Sequence, residues 1–205
     1  EIENKTFKIY SSFIASLTFA FTHSHWFNAV ETEVYAFSGF LTALVIYLVM
    51  RWSKEYKNSY HLIYLIFISY LIGLATGLHL LNLLTIPFIG LVIYFTLNKL
   101  SIKNFLLTIM LSLAIFFGVQ NLIIKGIPLI AKSIGLIGLF IFIAIIIFLN
   151  IYFIKKKKML STIIMSSIVL IMIGYSTYFS IFIRSGQNPN IDENNPETVE
   201  EAISY

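Results

Sequence analysis

Residues 62–97 form one apolar run with almost no polar break. Written as a single α-helix, the run would be roughly 54 Å long, nearly twice the ~30 Å hydrocarbon core of a bilayer. Such a run must fold back on itself. Gly77-Leu-His79-Leu-Leu-Asn82 is the natural turn, with Gly77 expected to accept an unusual backbone angle. Pro87 then lies near the start of the next helix, where a missing N–H costs least. Apolar runs of similar reach recur along the chain, and the spacing predicts seven spans, over 9–27, 33–51, 60–78, 80–97, 104–124, 134–154 and 159–183. The expected fold is all-α, a polytopic membrane helical bundle. With 58% hydrophobic and 12% charged residues, a soluble domain of this length could not cover its apolar surface. The ten-residue alternation of a membrane β-barrel is not seen. There is no cysteine, which excludes disulfides and thiolate metal sites.

Basic residues give the orientation. If the first span runs from inside to outside, the inner segments carry Lys5, Lys8, Arg51, Lys54, Lys57, Lys99, Lys103 and Lys155 to Lys158, 11 of the 14 Lys and Arg. Lys125, Lys132 and Arg184 remain outside, with seven of the ten acids. Cationic loops stay in the cytosol, so the N-terminus is expected inside, the tail outside, and the chain in a cell membrane. Residues 1–184 then form the membrane domain, and 185–205 an extracytoplasmic loop entering an outer helix after Asn195-Pro196. The chain starts and stops in mid-pattern, as a piece of a longer protein would.

On this topology the polar residues gather at the outer face. The stretch His23-Ser-His-Trp-Phe-Asn-Ala-Val-Glu-Thr-Glu-Val-Tyr-Ala36 sits between two spans, where polar groups near lipid need a reason. Asn28 and Glu31 match a capping box, which gives Glu31 a structural role as readily as a chemical one. Glu33 has no such local role and is the better candidate for a carboxylate facing a cavity. Tyr35 fits a place beside Glu31 or in an interfacial aromatic belt. His23 and His25 suit phosphate binding, proton relay or a plain interfacial position; two histidines in a His-x-His pattern do not define a metal site, and none is assigned. Trp26 suits the same belt or a sugar-stacking platform. His79 and Asn82 either hold the fold-back turn or line the site. Arg184 is the outer cation best suited to an anionic lipid phosphate. Gly73-Leu-Ala-Thr-Gly77 reads as a close helix-packing surface.

These pieces carry a resemblance. His25-Trp-Phe-Asn-Ala-Val-Glu-Thr-Glu-Val-Tyr-Ala36 and Gly73-Leu-Ala-Thr-Gly-Leu-His-Leu-Leu-Asn-Leu-Leu84 resemble two motifs of a bacterial multi-span family long catalogued as a domain of unknown function. That family is similar to an animal endoplasmic-reticulum O-mannosyltransferase acting on plexin-type receptors. Arg184-Ser and the segment 188–197 resemble a third motif, found in larger members. The resemblance implies a GT-C-like membrane glycosyltransferase. Its donor would be a polyprenyl-phosphate sugar, with mannose the first candidate, and its acceptor a protein hydroxyl on the extracytoplasmic face. It implies Glu33 and Glu31 as catalytic candidates. It implies His25, Trp26, Asn28, Tyr35, His79 and Asn82 as substrate-binding positions, beside His23 and Arg184 from the reading above. No cofactor beyond the lipid-linked donor is expected; metal dependence is left open. The partners are membrane lipids, the donor and an acceptor protein, with no nucleic acid. The family also has a preceding span and an acidic outer loop that this sequence lacks, so the fragment alone is expected to be inactive. A transporter or flippase, and a non-catalytic membrane scaffold, are the alternatives; broken helices fit the former.

Overall fold

The computed structural model describes residues 4–31, 34–192, 195–197 and 201, and among them there is no strand. The chain divides into two compact units, Glu1–Phe40 and Leu41–Tyr205. Together with its composition, the structure makes the protein an all-α membrane helical bundle. Among the described residues four helical stretches are long and apolar enough to cross a bilayer: Tyr35–Glu55, Leu80–Leu97, Ile102–Lys155 and Met159–Ser185.

The first unit holds α1 (Lys5–Ala20), α2 (His23–Val30) and the first residues of α3 (Tyr35–Glu55). Asn4 caps α1, its side chain accepting from the Thr6 N–H at 2.9 Å. The run predicted as one span over 9–27 is interrupted at Phe21 and Thr22. Thr22 is extended, and its hydroxyl donates back to the Phe19 carbonyl at 2.8 Å, so the helix ends where this local bond competes with the backbone ladder.

The second unit holds the rest of α3, then α4 (Leu62–Leu78), α5 (Thr85–Leu97), α6 (Ile102–Gly118), α7 (Gly126–Lys155), α8 (Met159–Tyr175) and the short α9 (Ser180–Ser185). A 3₁₀ turn over Leu80–Leu84 breaks the long apolar run where the sequence predicts it. Gly77, however, remains inside α4, and the turn is made by His79, with φ −154°, and Asn82. Pro87 is the third residue of α5, so no helical hydrogen bond is lost.

Helix directions follow from the cross-links. The Thr42 hydroxyl donates to Asn82 Oδ1 at 2.6 Å, and Ser53 Oγ lies 2.7 Å from Thr96 Oγ1, so residues 41–55 of α3 run parallel to α5. The intervening α4 runs the other way. Tyr94 bonds Ser101 across a tight turn and Gly90 faces Ser112, which makes α5 and α6 antiparallel. Asn150 Nδ2 donates to Ser166 Oγ at 3.0 Å, which makes α7 and α8 antiparallel. Gly73 faces Ile171 and Gly77 faces Thr177, so α4 and α8 are parallel. The turns at 56–61, 98–101 and 156–158 therefore share one end of this unit, and those at 79–84, 119–135 and 176–185 share the other. The first end carries Arg51, Lys54, Lys57, Lys99, Lys103 and Lys155 to Lys158; the second carries Lys125, Lys132 and Arg184.

Between α6 and α7 the expected loop at 125–133 is helical instead. A π turn over Val119–Ile124 leads into α7, and the break comes at Gly135, whose φ of 71° is costly for any residue with a Cβ. Continuous helix satisfies every backbone group without water, which is why residues 126–134 stay helical beside an apolar environment.

The tightest packing is α4 on α8. The predicted small-residue surface contributes Gly73, and Gly174 is its partner from α8. A Cβ at Gly73 would fall on the Ile171 carbonyl, and one at Gly174 on the Tyr70 carbonyl and the Leu74 nitrogen. Leu71, Ile72, Ala75, Ile171 and Tyr175 close the core around this contact. Gly174→Leu is therefore expected to destabilise the fold by about 3 kcal/mol, because backbone and not a movable side chain must give way. Gly118→Ala meets no atom within 4 Å and should be neutral or stabilising by up to about 1 kcal/mol. Thermal unfolding in detergent compares the two.

Candidate functional site

In the first unit the short α2 presents His23, His25, Trp26 and Asn28 together. It is pinned by rings: Phe19 lies 4.5 Å from His25, Phe21 stacks on Trp26 at 5.8 Å, and His23 stacks on Phe27 at 6.2 Å, centroid to centroid. His25 is half-buried against Phe19, whereas His23 is exposed. Trp26 is 55% exposed, with one face on Phe21. His25 and Asn28, three residues apart, emerge on one side of the helix.

The capping box predicted for Asn28 and Glu31 does not form. Asn28 lies inside α2, and Glu31 ends it, its N–H donating to the Phe27 carbonyl at 3.2 Å before the chain turns extended. The helix begins at His23 because Thr22 already supplies the extended residue at its N-terminus. Glu31 is thus exposed and has no helix-starting duty. Glu33 lies outside the described residues. Tyr35 opens α3 and is exposed.

His79 and Asn82 belong to the second unit. Asn82 is 3% exposed, and its side chain is committed to the turn. Nδ2 donates to the Ala75 and His79 carbonyls, both at 2.9 Å, and Oδ1 accepts from Thr42. The Asn82 carbonyl in turn accepts from the Thr85 hydroxyl at 2.7 Å. His79 Nδ1 accepts the Leu81 N–H at 3.3 Å, which leaves the ring half-buried at the rim of the turn. Asn82 thus ties α3, α4 and α5 together below His79.

Arg184 lies at the same end of this unit. It is exposed, 3.5 Å from Gln187 Oε1, beside an open groove of about 340 Å³ lined by Ser180, Ile181, Ser185, Pro189, Ile191 and Asp192. The buried Ser185 hydroxyl donates to Asp192 at 2.8 Å and fixes the acidic wall of that groove. Among the described residues the one ion pair is Arg51 with Glu55, at the opposite end, and no described carboxylate pairs with Arg184. No three of the described His, Asp and Glu side chains gather closely enough to hold a metal ion.

The structure therefore brings His79, Asn82 and Arg184 to one end of the second unit, and gathers His23, His25, Trp26, Asn28 and Glu31 around α2 of the first. Sequence reasoning missed Thr42 and Ser185. Thr42 is a hydroxyl between apolar residues, and that isolation was its available signal; Ser185, between Arg184 and Gly186, carried none.

A family model described as the protein O-mannosyl-transferase TMEM260 N-terminal domain matches residues 1–104, just over half of the chain. The chain belongs to this family. The TMEM260 N-terminal-domain match takes in both the His25–Ala36 and the Gly73–Leu84 segments, and all of α1 to α5; Arg184 and its groove lie beyond it. No curated protein and no solved structure matches the chain.

Proposed function

We propose that the chain is the membrane part of a GT-C-like protein O-mannosyltransferase of a bacterial inner membrane. It would move mannose from a polyprenyl-phosphate carrier to a Ser or Thr hydroxyl of an acceptor protein on the extracytoplasmic face. The observation that carries this reading is the family match over residues 1–104, which contains both polar motifs. Charge supports the sidedness: one end of the second unit holds nine Lys and Arg, and the end with His79, Asn82 and Arg184 holds three. On that face soluble nucleotide sugars are absent, so a lipid-linked donor fits.

In the proposed reaction a carboxylate, Glu33 first and Glu31 second, takes the proton of the acceptor hydroxyl. The hydroxyl oxygen then attacks the anomeric carbon. The bond from that carbon to the phosphate oxygen breaks, and polyprenyl phosphate leaves. Its charge would be met by His25 and His23 of the first unit or by His79 and Arg184 of the second. Trp26 would stack on the sugar, with Asn28 and Tyr35 beside it. Asn82 positions His79 rather than touching the donor. Residues 1–184 serve as the membrane domain and 185–205 as its outer appendage.

The test uses sealed membranes from cells with and without the gene for the full-length protein. Radiolabelled polyprenyl-phosphate mannose should label protein only where the gene is present, and nucleotide-linked mannose outside the membrane should not. Labelling from the nucleotide sugar alone would overturn the donor assignment. Movement of the lipid-linked sugar across the membrane without protein labelling would return the protein to the flippase class.

A further inference from the structure

We infer that the crevice between α5 and α6 is a binding site for one anionic phospholipid, separate from the donor site. The crevice has a volume of about 270 Å³ and is lined by Tyr94, Phe95, Leu100, Ser101, Ile102 and Phe105. It is a built feature of the turn. Tyr94 is 1% exposed; its hydroxyl accepts the Ser101 N–H at 2.8 Å and donates to the Ser101 carbonyl at 2.9 Å, which locks the 98–101 turn over the ring. Phe105 meets Tyr94 edge-on at 5.8 Å and lies 6.2 Å from Phe95, so three rings form the wall.

Two observations select the occupant. First, the turn displays apolar side chains where a water-facing loop would not: Leu100 is 84% exposed and Ile102 82%. Exposed apolar groups at a helix end belong at the depth where chains meet headgroups. Second, Lys99 and Lys103 flank the crevice, both exposed, and among the described residues neither is ion-paired. Residues 56–191 contain no Asp or Glu, and Glu55 is taken up by Arg51 and by the Tyr64 hydroxyl. An apolar slot under two lysines complements an acyl chain below a negative phosphate better than it does a zwitterionic lipid or the 56–191 surface of a second copy, which carries no acid.

The test is native mass spectrometry of the full chain with palmitoyl-oleoyl phosphatidylglycerol against the matching phosphatidylcholine. One phosphatidylglycerol should be retained preferentially. Lys99→Ala with Lys103→Ala should weaken that retention by about fivefold per lysine, roughly 25-fold together. Lys156→Ala with Lys157→Ala, at the same end of the unit but away from the crevice, should change it by less than about twofold. Equal losses from both pairs would mean diffuse attraction to a basic surface and would overturn the site. A second measurement leaves the lysines intact: Phe105→Trp in vesicles of one part phosphatidylglycerol to four parts phosphatidylcholine. Chain-brominated phosphatidylglycerol should quench the added tryptophan more than brominated phosphatidylcholine at equal mole fraction. Equal quenching would mean bulk lipid only, and a lipid-free dimer closed over the crevice would assign it to a second copy; either result overturns the proposal.

Discussion

Glu33→Gln in the full-length protein is expected to lower mannosyl transfer by about 10²–10⁴-fold, the usual contribution of a positioned general base. Glutamine keeps the shape and the hydrogen-bonding reach of the side chain but cannot accept the hydroxyl proton. The loss should therefore appear in kcat, with KM for the lipid-linked donor little changed. Glu31→Gln is the comparison. Glu31 is exposed and ends α2, with no capping bond to lose, so its replacement separates a chemical role from a structural one. If Glu33→Gln, expressed normally, costs less than about threefold, Glu33 is not the base. If Glu31→Gln carries the large loss, the roles of the two carboxylates are exchanged. A rise in KM alone would make Glu33 a donor-orienting group.

Asn82→Ala should be strongly destabilising in the second unit. It removes three side-chain hydrogen bonds from a site that is 3% exposed and leaves the Thr42 hydroxyl without its acceptor, while the Ala75 and His79 carbonyls keep only their backbone N–H donors. A buried polar group left unsatisfied costs about 1–3 kcal/mol, so a total of roughly 2–4 kcal/mol is expected. The effect should be felt in α3, α4 and α5 together, because the amide is the point where they meet. Thr42→Val, which removes only the hydroxyl donor, should cost about 1 kcal/mol. The double variant should cost less than the sum of the two, since Thr42 and Asn82 share a bond. Thermal unfolding in detergent measures all three. An Asn82→Ala loss below about 0.5 kcal/mol would show that the turn is held by its backbone alone.

Much of the helical plan is legible in the sequence because lipid imposes simple rules. A run too long for the bilayer has to break, and the polar pair His79 and Asn82 marks where. Gly73 announces close packing because only a small residue lets two backbones meet. What was not legible is which group answers which. Nothing in the local pattern of α3 ties Thr42 to a turn 40 residues later, and Gly174 is unremarkable until Tyr70 is seen against it. The break at Phe21 and Thr22 escaped because the expected span was carried across Thr22-His-Ser-His25 to Phe27; the Thr22 side-chain bond and the ring stacks that hold the break are not hydropathy signals. The helical 126–134 segment escaped for the opposite reason. Lys125 and Lys132 suggested a loop, yet a long side chain can leave a helix and reach water on its own. For the candidate site, the sequence gathered the polar residues by sidedness, and the structure adds that Asn82 is committed to holding the turn while Arg184 stands open beside a groove.

In the proposed topology the polar motifs face one extracytoplasmic side while the lysine-rich turns face the cytosol. The native sequence has no cysteine, so single introduced thiols report position without background. Ser24→Cys, Leu81→Cys, Asn58→Cys and Lys157→Cys should be made one at a time and exposed to a membrane-impermeant maleimide on intact cells. Positions 24 and 81 should react from outside, and 58 and 157 only after the membrane is opened. Labelling of 24 and 81 from opposite sides would contradict this topology.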